Sequence, residues 1–461
     1  MTKRRLVSGR AATALVVVIL TGVASAVCSA CSAGSDASAS PSDSPRGQPG
    51  TVVFSQTLRP FWESGDGGLG HRIDVTPSGH VVVACRVRGS SAATVSLTPS
   101  GIDWQFLRDR HDEDAAELDW SDQEVAADGS VVAVGIRYDY STSGTSLVVS
   151  RFVDADTRFD TAYQETGHSL RGTAVAIGGD GAIYVVGVRE DTADIVLIKY
   201  DQTLQQAWVR HYGGVAYEWG RAVAVVGDGV YVAGEGYRRG RSLDLLVMRY
   251  DAQTGKRIWA RYVRTGDRRK QEFDGLVVRP SGVCVCGHVI SARQLHPIPQ
   301  AVLAKISPSG VQRWVCNSSA TWWMDIGAAP DGSLRLTGRL YRRGGDLDMV
   351  TATYRRDGTR LWRCAYASAG GGYDCGSVLD VDASGTTYVG GATGSVTAGH
   401  ETDLLMIAYD RTGKRLWVTT SPGGNVDGLY YGVMDLDTSN DSVWVTGTSV
   451  DYDVLVLQLQ K

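Results

Sequence analysis

Short apolar runs recur along the chain, each cut off by a polar or glycine-containing turn, and the repeating pattern is one of strands and turns without helices. Residues 217–264 show one full unit. Arg221-Ala-Val-Ala-Val-Val226 reads as a first strand, and Gly227-Asp228-Gly229 as a turn that needs positive φ. Val230-Tyr-Val-Ala-Gly234 is a second strand, followed by a polar loop from Glu235 to Leu243. Asp244 opens a third strand, Leu245-Leu-Val-Met-Arg-Tyr250, and an Asp-x-x-Thr-Gly turn leads to a fourth, Ile258-Trp259-Ala-Arg-Tyr262. The third strands match best across the chain, each opened by Asp194, Asp244, Asp348, Asp403 or Asp453. They are nearly continuous apolar runs, as expected of a sheet covered on both faces. The second strands end in a repeated glycine: Gly135, Gly187, Gly234, Gly287, Gly338, Gly391 and Gly447, with Cys85 in the first copy.

An aromatic residue closes most units. Trp104, Phe159, Trp208, Trp259, Trp314, Trp362 and Trp417 follow one another at steps of 55, 49, 51, 55, 48 and 55 residues. A strand-and-turn repeat of this length predicts an all-β single propeller of four-stranded antiparallel blades. Eight second strands can be counted, starting near residues 80, 130, 182, 230, 283, 333, 386 and 442. The eighth unit stops after its third strand at Lys461, while Gly50-Thr-Val-Val-Phe54 carries the spacing of Gly413 to Trp417 with no first three strands before it. Residues 51–58 are therefore expected to pair with 453–459, so that the N-terminal strand completes the C-terminal blade and hides two sheet edges.

The expected organisation is a signal peptide over 1–30, a flexible Ser/Gly/Pro/Asp tether over 31–50 and the propeller over 51–461. Lys3, Arg4, Arg5 and Arg10 precede the apolar run Ala14 to Leu20, and small residues follow. That is the order of an export signal, and the run is shorter than the roughly 20 residues a membrane span requires. Its sequel resembles the bacterial lipoprotein signal, in which a cysteine after small residues becomes the lipidated N-terminus; Cys31, behind Ser29-Ala30, fits that pattern better than Cys28 behind Val27. Cleavage after Ala24-Ser25-Ala26 would instead give a secreted protein. Removal of residues 1–30 takes four basic and no acidic residues, moving the net charge from −4 to −8. An acidic domain argues against nucleic-acid binding. Cys85, Cys284, Cys286, Cys316, Cys364 and Cys375 remain, without metal-ligand spacing. They read mainly as small buried residues; disulfides between them stay open, with no pairing fixed by sequence.

Taken together, Asp-Gly-x-x-Tyr-Val-x-Gly, the polar loop, Asp-Leu-Leu-Val-x-x-Tyr-Asp and Thr-Gly-x-x-x-Trp resemble the SBBP-type propeller repeat of bacterial surface proteins. Asp-x-x-Thr-Gly-x-x-x-Trp is also similar to the tryptophan-docking motif of eight-bladed quinoprotein dehydrogenases and of the propeller lipoprotein of the outer-membrane assembly machine. That resemblance implies a structural, blade-docking role for Trp104, Trp208, Trp259, Trp314, Trp362 and Trp417.

Catalytic chemistry is hard to place in the sequence. The vicinal cysteines that a quinoprotein would need by resemblance are missing, as are the Ser-x-Asp-x-Gly-x-x-Trp boxes of propeller sialidases. The eight histidines are scattered; His111, His168 and His211, near Asp112, Glu113 and Asp114, fall in successive connections but read as solvated loop residues. No catalytic residue, metal or cofactor is expected. The long loops between second and third strands, and those between blades, should share one face, opposite the short Asp-Gly and Thr-Gly turns. The residues at the mouths of the first strands form a mixed ring: Leu69, Asp119, Arg171, Trp219, Glu272, Trp322, Cys375 and Tyr431. Trp219, Tyr237, Arg238, Arg239, Trp322, Tyr341, Arg342 and Tyr431 make the candidate binding face, since Tyr, Trp and Arg dominate protein interfaces. The expectation is a monomeric, lipid-anchored binding or scaffold module at the bacterial cell surface, with a protein or glycan partner at the envelope. The alternative is an extracytoplasmic propeller enzyme, a hydrolase or quinoprotein-like oxidoreductase, with an unrecognised site at the central mouth.

Overall fold

The computed structural model describes residues 48–58, 68–87, 91–98, 100–107, 116–139, 144–213, 217–237, 243–266, 269–290, 299–342, 345–369, 372–394, 403–421, 433–438, 441–448 and 454–461. Every named element among them is a β-strand. The strands form eight antiparallel four-stranded blades. Blades 1 to 7 span residues 68–107, 116–163, 170–212, 218–262, 270–319, 321–366 and 373–421. Blade 8 combines three strands within 433–460 with the N-terminal strand Val52–Leu58, which pairs antiparallel to Val454–Gln460. The first strands touch one another in sequence right round the ring, so they line the axis, and the fourth strands lie outermost.

Burial explains the unbroken apolar runs. In blade 4 the third-strand residues Leu245, Leu246, Val247 and Met248 alternate between two faces, yet all are fully buried. One face packs into a cluster with blade 3 and the other into a cluster with blade 5. Each blade thus fills its neighbours' faces, and the core is a set of wedges around the ring.

Indoles fasten the outer circumference. Trp208, Trp259, Trp314, Trp362 and Trp417 lie against the turn glycines of the following blade, Gly255, Gly310, Gly358, Gly413 and Gly50. At Gly255 and Gly413 φ is +68° and +87°, so the turn needs glycine, and a Cβ there would stand 2.8 and 2.7 Å from the indole. Trp259, Trp314 and Trp362 donate their ring N–H to the carbonyls of Pro308, Arg356 and Arg411 in the next blade, at 2.8, 3.0 and 3.1 Å. The residue two positions after the indole adds a second bond: Arg210, Arg261, Cys316, Cys364 and Thr419 donate to the carbonyls of those same five glycines. Trp104 stacks on Phe152 of blade 2 at 6.1 Å. Phe159 departs from the set: it is 45% exposed, and its strand pairs without the register shift found beside Trp208.

Around the axis the unpaired edges of the first strands are capped by carboxylates. The amides of Ile73 and Val75 donate to Asp435 and Asp437 of blade 8, at 3.0 and 3.1 Å. Those of Val175 and Ile177 donate to Asp122 and Glu124 of blade 2, both at 3.0 Å. Leu379 donates to Asp325, and Thr438 to Asp380. Arg72 lies among these groups, 2.8 Å from Asp122 and 4.0 Å from Asp435. A buried N–H without an acceptor is costly, so each carboxylate serves as the missing neighbour strand. Blades 1, 2, 6, 7 and 8 carry an acid just after the β-bulge of the first strand or two residues on. Blades 3, 4 and 5 instead carry Ala174 and Ala176, Ala222 and Ala224, and Gly275 and Val277, so the acidic lining is one-sided.

All six cysteines of the domain are free thiols; Cys85, Cys284, Cys286 and Cys375 are buried, and Cys316 and Cys364 half-buried.

Candidate functional site

Every first strand contains a β-bulge at the same place. The register shifts past one extra residue at His71, Ser121, Thr173, Arg221, Asp274, Met324, Ser377 and Met434. The bulge pushes the carbonyl of the mouth residue under the second strand. A Cβ on Gly135, Gly234, Gly338 or Gly391 would lie within 1.9 Å of the carbonyl oxygens of Asp119, Trp219, Trp322 or Cys375. The repeated second-strand glycine therefore makes room for the bulge, and the bulge re-aims a side chain at the mouth. In blade 1, where Cys85 replaces that glycine, its partner across the ladder is Gly70.

Two aromatic clusters result on the long-loop face. In the first, Tyr217 stacks on Trp219 at 5.6 Å and meets Tyr237 edge-on at 6.0 Å. Tyr237 is 44% exposed. The Arg221 guanidinium lies 4.9 Å from the Trp219 ring and is fixed by Glu235 at 2.9 Å. In the second, Trp322 lies over His288 at 3.8 Å and donates to Asp274 Oδ1 at 3.2 Å. His288 Nδ1 is 2.7 Å from Asp274, and its Nε2 is 3.4 Å from Glu272, which also holds Lys270 at 2.6 Å. Burial pushes the Asp274 carboxyl up, outweighing the pull of His288. At Glu272 burial acts in the same direction, but Lys270 and His288 win and hold it below the usual carboxylate range. Arg339 lies 5.4 Å from both Trp322 and Tyr373.

Of the expected face, Trp219 and Tyr237 meet in one cluster and Trp322 anchors the other. Tyr341 is half-buried at the end of the second strand of blade 6. Arg342 folds back on Asp348, with Nε at 2.6 Å. Arg238, Arg239 and Tyr431 lie outside the described residues, as do His111 and Cys31. His168 and His211 are near each other but engaged separately, His168 with Asp191 at 2.7 Å and His211 with Glu165 at 3.4 Å. Among the described residues no three His, Cys, Asp or Glu side chains are placed to hold a metal ion.

The bulged residues were not singled out in the sequence, and three of them line a pocket. Ser121, Thr173 and Arg221, from the bulges of blades 2, 3 and 4, join Arg171, Glu190 and Trp219 around a volume of about 450 Å³. Arg171 is held by Glu190 at 2.8 Å and by the Tyr138 hydroxyl at 3.3 Å.

No protein-family model matches the chain, and no curated protein matches it in sequence. In fold it is similar to the Dos1 propeller, with a TM-score of 0.50 and 9% identity over 86% of this chain and 93% of that one. It is also similar to quinohemoprotein alcohol dehydrogenase from Comamonas testosteroni, with a TM-score of 0.52 and 11% identity over 85% of this chain and 75% of that one. The chain is an all-β propeller, and its distant likeness to quinoprotein-type propellers is one of fold.

Proposed function

We propose that this propeller is an exported, non-catalytic binding module of the bacterial cell surface, of the kind its SBBP-like repeats resemble, anchored by lipid on Cys31. The observation that carries the reading is the gathering of Trp219, Tyr217, Tyr237 and Arg221 at the mouth of the long-loop face, beside a pocket. Aromatic and arginine side chains held by packing are good anchors because little conformational freedom is lost on binding. An envelope partner, protein or glycan, would be held on this face, with the molecule acting as a monomer and without nucleic acid or cofactor. An extracytoplasmic enzyme is the alternative, and the buried Asp274–His288 pair is the group it would draw on.

The test is crosslinked capture from membranes carrying the intact protein. Tyr237→Ala and Tyr341→Ala are expected to weaken capture about thirtyfold, the effect of losing roughly 2 kcal/mol at a hot spot. Lys256→Ala and Lys414→Ala, on the opposite turn face, should leave it unchanged. Cys31→Ala should move the protein from the membrane to the soluble extracytoplasmic fraction. Equal loss from both faces would overturn the choice of face, and a mature chain starting at Val27 in the medium would overturn the anchor. Substrate turnover abolished by Asp274→Asn would replace binding with catalysis.

A further inference from the structure

We infer that the pocket between the inner strands of blades 2, 3 and 4 is a site for a short, uncharged saccharide; this rests on the reading of the long-loop face as the binding face. Five of its six lining residues are of donor type, Ser121, Arg171, Thr173, Trp219 and Arg221, with the single Thr173 O–H committed to the Gly220 carbonyl. Glu190 alone offers only acceptors. A wall so rich in donors suits an oxygen-rich guest.

The charges decide which oxygen-rich guest. Both guanidinium groups are already balanced, Arg171 by Glu190 at 2.8 Å and Arg221 by the buried Glu235 at 2.9 Å. An anion would therefore meet two acids along with the two arginines. Hydroxyl groups, which donate and accept, match planar Arg–Glu pairs without adding charge. The Trp219 Nε1 is shielded and has no hydrogen-bond partner within the fold. The Thr173 hydroxyl is fixed by donation toward the Gly220 carbonyl at 2.8 Å, so its lone pairs are oriented before a ligand arrives. At about 450 Å³ the pocket also falls within the roughly 300–1,000 Å³ of small-molecule sites.

The test is calorimetric titration of the full mature chain with four neutral disaccharides, maltose, cellobiose, lactose and N,N′-diacetylchitobiose, alongside glucuronate and inorganic phosphate. Saturable binding of at least one neutral sugar, tighter than either anion, is expected. Trp219→Ala, which removes one wall of the pocket, should weaken it about tenfold or more. Ser121→Ala removes a single hydroxyl, leaves the wall packing intact and should weaken it measurably, so the test survives if the tryptophan variant fails to fold. Tighter binding of phosphate or glucuronate, absence of binding by all four sugars at millimolar concentration, or indifference to both substitutions would overturn the inference. Tyr341→Ala, on blade 6, separates the two proposals. It should weaken partner capture and leave sugar binding unchanged. Capture that depends on Tyr341 without any sugar binding would sink the saccharide site and keep the binding face; sugar binding with capture indifferent to Tyr237 and Tyr341 would do the reverse.

Discussion

At the scale of single residues, two sets of positions hold the inner strands in place. The first is the glycine that ends the second strand in blades 2 to 8. At Gly234 a methyl group would come 1.9 Å from the Trp219 carbonyl, and backbone cannot yield as a side-chain tip can. Gly234→Ala is expected to cost roughly 1–3 kcal/mol, the usual cost of overpacking. Gly236→Ala, which meets only the Glu218 and Tyr262 side chains at 3.1 and 3.2 Å, should cost much less. Equal losses in denaturant melts would disprove the bulge argument. The second group is the axial carboxylates. Burial raises Asp435 and Glu124 to about 7 and Asp325 to about 6, against the backbone amides that favour their charged forms. Their unfolded values lie near 4. Between those limits the folded protein holds more protons than the unfolded chain, so these groups favour folding most below pH about 4, and that contribution is lost as pH rises toward 7. His211, lowered chiefly by burial, works in the opposite direction over the same range. Comparison with Asp435→Asn cancels such background, since the amide keeps an acceptor for the Ile73 N–H and cannot ionise. Between pH 5 and 8 the melting temperature of the parent should fall more steeply than that of the variant. Parallel profiles would show that Asp435 stays ionised throughout.

At the scale of elements, the strands were legible because their cause is local. A third strand such as Asp244 to Tyr250 is apolar at consecutive positions because both its faces are covered, and that leaves a direct mark on the sequence. The tryptophan repeat was legible for a similar reason, since one indole, one turn glycine and one donor two residues on recur at the five junctions from blade 3 to blade 8. Burying an indole against the next blade is worth roughly 2–3 kcal/mol, so drift at these positions is costly. Spacing alone was a weaker guide at Phe159, which keeps the interval but not the register shift or the burial. The bulges escaped detection because an inserted residue shows only against its partner strand. Its one trace in the sequence is the run of second-strand glycines, which were visible but had no evident cause. The pocket was further out of reach. Ser121, Thr173 and Arg221 lie about 50 residues apart, differ in type, and meet only because three bulges face one axis. The acidic lining is likewise a property of pairs of blades, since Asp435 finds its partner amide at Ile73 across nearly the whole chain.

At the scale of the whole molecule, the decisive feature is how the two ends of the ring are joined. No single blade covers both its faces, so a propeller with an open junction leaves two blades half exposed. Here the closing strand brings three kinds of contact. Val52 to Leu58 pairs along Val454 to Leu459. The Phe54 ring meets Trp444 edge-on at 5.8 Å. Gly50 receives the Trp417 indole of blade 7, and its carbonyl accepts the Thr419 hydroxyl at 2.5 Å. The N-terminal segment thus acts as the outer strand of blade 8 and as the docking turn for blade 7. Deleting residues 51–58 would bare the edge of Val454–Gln460 and leave Phe54's place beside Trp444 empty, which invites edge-to-edge association as well as unfolding. The expected result is a markedly lower melting temperature with aggregation, whereas deleting residues 32–45 should leave melting unchanged. A peptide of residues 48–58, added to the shortened protein, should recover part of the lost stability by refilling the edge. If the two truncations melt alike, the ring draws its stability from the remaining junctions, and the N-terminal strand is an accessory to the eighth blade rather than its closure.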